Sequence, residues 1–316
     1  MVDQITTSKS CSVCGATLGN DGLEVNGLCL RCAGYDVGQR PGPGSADTLA
    51  NASADDSVAE VIDPDRPHWG AATGIGVWVA SVAAIIVIPI ITVIAWYVIQ
   101  KVRNAPVPLL SSKDEMLEWL KSPNLLLVQV LSTILAHAVT IAVCWAVVTR
   151  LGTRPFWRSL GWSWAGRSVW YWVVFSACVI IALLIIDQGL VKVLPQSEEN
   201  SFAELLKSSQ SVRVAIAALA TFTAPIVEET VYRGVLFASM RKHLGLVATV
   251  IVITLLFSGV HVLQYWGAWV SVAGLTMLSL ALTVVRARTK SILPCVMIHT
   301  LNNAFFSVLI LLNKAS

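Results

Sequence analysis

Long apolar runs separated by short polar breaks fill the chain from residue 71 onward. Runs close to the roughly 20 residues that cross a bilayer fall at Ala71–Ile99, Leu125–Val148, Val169–Ile186, Val212–Val227, Leu244–Val260, Ala268–Val285 and Ile292–Leu312. In lipid every backbone polar group must be satisfied within its own segment, which favours helices. The pattern predicts an all-α polytopic membrane protein of about seven to eight transmembrane helices. Between the first two runs, "SSKDEMLEWLKS" has amphipathic spacing and predicts a short helix along the outer surface.

Composition agrees with this reading. Of 316 residues, 55% are hydrophobic and 13% charged, where a soluble domain carries about a quarter charged. Mean hydropathy is +0.70. A formal net charge of +3 with no basic, aromatic-laced stripe gives no reason to expect a nucleic-acid partner. The polar N-terminus lacks a signal-like apolar region, so the first span is expected to anchor the chain unprocessed.

With the N-terminus inside, inner loops hold Arg150, Arg154, Arg158 and Arg167, then Arg241 and Lys242, then Arg286, Arg288 and Lys290. The outer loops hold fewer, Lys101, Arg103, Lys113 and Lys121, then Lys192 and Lys207, so the bias predicts a cytoplasmic N-terminus, with the first outer loop narrowing the margin. The multi-pass protein is expected in the cytoplasmic membrane of a prokaryote. Trp157, Trp162, Trp164, Trp170 and Trp172 crowd one edge of the third span and are expected to form an interfacial belt.

The N-terminal head changes the picture. Cys11 and Cys14 form one CxxC unit, and Cys29 and Cys32 form another. Two such units close together suit a tetrahedral structural Zn²⁺ site, and so short a segment has too little apolar content to fold without one. A pair of disulfides or a redox pair is the alternative. Residues 1–34 therefore read as a zinc-ribbon-like module. Residues 35–70, rich in Gly, Pro, Ala, Ser and Asp, read as a flexible linker. Residues 71–316 read as the membrane domain. A tethered ribbon implies a cytoplasmic protein partner.

Polar groups inside apolar segments are costly and mark function. In "FTAPIVEETVYRGVLF", Glu229 and Arg233 stand four apart, on one helical face, and can pair; Glu228 points about 100° away. Phe257 and His261 repeat the interval in the next span, and His299 and Asn303 repeat it in the last. If these faces converge, a carboxylate and an imidazole can activate a water while an imidazole and an amide stabilise an oxyanion. By span counting, His261 falls nearer the outer end of its helix than Glu228 does of its own. His137 lacks a partner motif and reads as structural. Asn302 reads as a helix-packing amide, and Cys144, Cys178 and Cys295 as packing thiols.

The motifs "EETVYR", "FSGVH" and "HTLNN", in this order, resemble the CPBP family of intramembrane glutamic endopeptidases. That family includes CAAX prenyl proteases and bacteriocin-processing enzymes, and its signature is EExxxR, FxxxH and HxxxN. The resemblance covers roughly Val212 to Leu312. It implies that Glu228 and His261 activate water, that His299 and Asn303 stabilise the oxyanion, and that Glu229, Arg233 and Phe257 support the site. It implies a membrane-associated protein or peptide substrate and no cofactor at the catalytic site. A zinc-dependent membrane protease, or a non-catalytic scaffold or immunity-type protein of the same fold, are the alternatives.

Overall fold

The computed structural model describes residues 24–25, 28–29, 62–109, 112–195 and 201–312. The chain divides into two units at Val61 and Ile62. In the first, strands β1 (Glu24–Val25) and β2 (Leu28–Cys29) pair antiparallel, with Glu24 opposite Cys29. The expected zinc ligands Cys11, Cys14 and Cys32 lie outside the described residues, and Cys29 is described only as backbone in β2.

The second unit is helical. Its long helices are α1 (Ala71–Val102), α3 (Pro123–Thr149), α4 (Val169–Leu190), α6 (Gln210–Val262), α7 (Trp269–Thr289) and α8 (Leu293–Leu312), with α2 (Lys113–Leu120) and α5 (Ser201–Ser208) between them. All six long helices are long and apolar enough to cross a membrane. Outward-facing Ile86, Ile90, Ile91 and Ile94 on α1 are more than half exposed, as a lipid-facing surface requires. The short helix α2 falls where the amphipathic pattern predicts it.

Six helices make seven apolar limbs, because α6 is a hairpin. Tyr232 and Phe257 would stand about 37 Å apart on a straight helix at roughly 1.5 Å per residue, yet their ring centroids are 5.1 Å apart. The reversal falls at Gly245, with φ 73° and ψ −179°, a conformation open to glycine and strained for other residues. The first limb, residues 210–244, therefore runs well past Val227, where the apolar run predicts its end. It continues because Glu229 and Arg233 find partners inside the bundle instead of needing water. The reversal also removes the span-counting mismatch. With Tyr232 beside Phe257, equal steps back along the two limbs bring Glu228 level with His261.

Close helix packing fixes this first limb. A Cβ on Gly74 of α1 would collide with the Ser239 hydroxyl, so only glycine lets these two helices meet. Residues 230–240 are buried without a break. The limb carries two π-helical segments, Leu219–Thr223 and Thr230–Leu236, on either side of Ala224–Glu229. Such turns recur at functional sites.

At one end of the bundle the expected inner loops gather around residues 62–70. Lys242 Nζ donates to the Pro67 carbonyl at 2.8 Å, Lys290 lies 3.7 Å from Asp63, and Trp69 Nε1 donates to the Val235 carbonyl at 3.1 Å. At the other end, Lys121 meets Glu204 at 3.8 Å and Phe202 packs on Tyr265 at 5.1 Å. Two sequence expectations need correction. Arg286 is not a loop charge: it lies within α7 and is fully buried. The tryptophan belt is divided, for Trp170 is exposed whereas Trp172 is buried and donates its indole N–H to the Trp164 carbonyl at 3.0 Å.

Candidate active site

Three helices supply the site: α6 through both limbs, α7 and α8. On the first limb of α6, Glu229 is fully buried. A bare carboxylate there would be very costly, and its Oε1 takes two partners. Arg233 Nη1 donates to it at 3.0 Å, and His299 Nδ1 donates to it at 2.8 Å. The predicted one-turn pair is thus present, and it carries an imidazole as well. Arg233 is also fully buried. Its Nη2 donates to the carbonyl and hydroxyl of Ser279 on α7, at 3.0 and 2.9 Å.

Phe257 sits at the centre of this cluster. The Arg233 guanidinium lies 4.7 Å from its ring centroid, within cation–π range. Its ring is 4.9 Å from that of His261 and 5.9 Å from that of His299. One side chain therefore spaces both imidazoles and covers the arginine.

Glu228 has a different environment. Its carboxyl is 22% exposed, and its nearest ion-pair partner is His299 Nε2 at 3.8 Å. His299 thus lies between the two glutamates, bonded to Glu229 through Nδ1 and facing Glu228 through Nε2. His261 is partly exposed, and its Nδ1 meets the Phe257 carbonyl at 2.8 Å. A carbonyl only accepts, so Nδ1 carries the proton and Nε2 of the neutral ring keeps its lone pair. Among the described residues, His261 and Glu228 share no direct ion pair or hydrogen bond.

Asn303 is partly exposed and is held from two sides. Its Nδ2 donates to the Ala220 carbonyl at 2.9 Å, and its Oδ1 accepts from Asn302 Nδ2 at 3.3 Å. Ala220 belongs to the first π segment, where the wider turn shifts carbonyl pairing. Asn302 therefore orients its neighbour as well as packing.

His137 on α3 reaches the same limb. Its Nδ1 lies 2.9 Å from Thr223 Oγ1, which in turn donates to the Leu219 carbonyl at 3.1 Å. Tyr265 lies one turn beyond His261, its backbone N–H donating to the His261 carbonyl at 3.0 Å. Burial first, and then the negative charge of Glu228, push its phenol up to about 12.

Sequence reasoning missed Ser279, Tyr265 and the inward role of Arg286. Ser279 gave no signal in an apolar span, and Tyr265 follows the last recognisable motif residue. Arg286 carried a signal that was misread, because its position near a run's end matched a loop charge. Cys144 and Cys295 are buried, as packing thiols should be, while Cys178 faces outward.

Neither the curated proteins nor the solved structures give a match to this chain. Residues 210–305 do match a protein-family model, described as Type II CAAX prenyl endopeptidase Rce1-like. The match takes in α6, α7 and much of α8, with all three motifs, and leaves out the head and α1 to α5. Over under a third of its length, in the part that builds the site, this chain is similar to the CAAX prenyl endopeptidases.

Proposed function

We propose that the protein is an intramembrane endopeptidase that hydrolyses a peptide bond of a membrane-associated protein or peptide. The observation that carries this reading is the contrast across His299 between a fully buried Glu229, whose Oε1 is shared by Arg233 and His299, and a partly exposed Glu228. In this account Glu228 and His261 take a proton from a water held between them, His261 accepting through Nε2. The activated water adds to the scissile carbonyl. His299 Nε2–H and the Asn303 amide stabilise the oxyanion. In this account the His299 ring carries both protons, donating from Nδ1 to Glu229 and from Nε2 to the oxyanion. Collapse of the tetrahedral species releases the amine, which is protonated by the acid formed at Glu228 or His261. The protein sits in the membrane with its N-terminus cytoplasmic, and its zinc-binding head recruits a cytoplasmic partner.

The experiment is cleavage by the full chain in proteoliposomes, in ¹⁸O-water, of a farnesylated peptide ending in a CaaX sequence and of an unprenylated membrane-anchored peptide. The new carboxyl terminus should carry a single ¹⁸O after one turnover, with no covalent enzyme adduct detectable by mass. A trapped acyl-enzyme would end this reading. So would a failure of both peptides to be cleaved.

A further inference from the structure

Residues 62–70 and α7 hold charged groups that the proposed chemistry does not use. Arg286 is buried completely, and a guanidinium without partners there would be very costly. It has several. Its Nη1 is 2.8 Å from Asp65 Oδ1, its Nη2 donates to the Pro64 carbonyl at 3.3 Å, and its guanidinium lies over the Phe237 ring at 5.1 Å. Its Nε donates to the Arg233 carbonyl at 3.0 Å. That last contact joins two networks. Arg233 belongs to the second π segment, where carbonyl pairing is shifted, just as Ala220 in the first π segment accepts from Asn303.

From these contacts we infer that Arg286, seated by Asp65, is a positioning residue for His299. The path is short and continuous. Asp65 fixes Arg286; Arg286 fixes the backbone at Arg233; Arg233 Nη1 holds Glu229 Oε1; and Glu229 Oε1 holds His299 Nδ1. The first link is an ion pair, and the other three are hydrogen bonds among buried groups, where misplacement by about an ångström is costly to catalysis. Arg286 touches no expected reacting group, so it acts through Arg233 and Glu229 alone. A positive charge elsewhere on α7 would not serve, because the contact with the Arg233 carbonyl is made by Nε, which lysine lacks.

The role in turnover rests on the protease reading, whereas the effect on His299 does not, and the experiment separates the two. The full chain, labelled with ¹⁵N-histidine and placed in lipid nanodiscs, contains five histidines. The His299 signals are assigned by difference against His299→Gln. Arg286→Lys keeps a charge near Asp65 but removes the Nε donor. Asp65→Asn, at a position 18% exposed, keeps that donor but loosens its seat. Both variants should shift or broaden the His299 imidazole nitrogens, and Asp65→Glu should return them to the wild-type positions. On the farnesylated CaaX peptide both should lower kcat by on the order of tenfold, with KM changed by less than about twofold.

Unchanged His299 signals in both variants would overturn the inference, whatever the activity. If Arg286→Lys fails to fold, Asp65→Asn still decides. If wild type cleaves nothing, the protease reading fails while the nitrogen signals still test the relay.

Discussion

Glu228 and Glu229 are neighbours in sequence and opposites in environment. Glu229 is sealed, sharing one oxygen between Arg233 and His299. Glu228 is partly open, and among the described residues its ion-pair partner is His299, at 3.8 Å. The difference extends to their surroundings. Arg233, Ser279, Arg286 and His299 are buried, whereas His261 and Asn303 are partly exposed. A bilayer segment bears a charge when partners satisfy it, and an unsatisfied charge at depth is kept when it has work to do. One half of the cluster is buried and paired, and the other half is partly exposed.

The comparison breaks most visibly if the buried half loses a partner. Arg233→Ala leaves Glu229 buried without its cation, so the protein should lose about 3–5 kcal/mol of stability. Unfolding of the detergent-solubilised chain measures this, and a loss below about 1 kcal/mol would mean that Glu229 is not held by Arg233. On the open side, Asn303→Ala should fold normally and lower kcat by about a hundredfold with KM nearly unchanged, since an oxyanion donor acts mainly in the transition state. A rise in KM at constant kcat would instead assign Asn303 to substrate binding.

The smallest effect on the membrane unit should come from the head. Changing Cys11, Cys14, Cys29 and Cys32 together to serine should remove about one zinc per chain. It should leave the unfolding of residues 62–316 where it was. Equal metal content in wild type and variant, by elemental analysis, would refute the ribbon.

Much of this was legible in the sequence because intramembrane charge is rare. Glu228, Glu229, Arg233, His261, His299 and Asn303 stand out against apolar runs, and one-turn spacing puts each pair on one face. The hairpin at Gly245 was harder to place. Hydropathy reports where a segment is apolar, so it ended the fourth run at Val227, before a charge cluster that in fact lies inside the helix. Local pattern could not reveal that Arg286 turns inward, because its partners Asp65 and the Arg233 carbonyl are distant in sequence. His299 was found, but its bond to Glu229 was not, since that contact joins α6 to α8. Contacts between elements were the part that sequence periodicity does not carry.

The most direct test exchanges the two carboxylates separately and measures folding and cleavage on the same samples. Glu228→Gln should unfold like wild type and cleave the membrane-anchored peptide at least about a thousandfold more slowly. Glu229→Gln should lose stability, because Arg233 is left buried without its counter-charge. The opposite pattern, with Glu228→Gln unfolded and Glu229→Gln stable but inactive, would contradict the account.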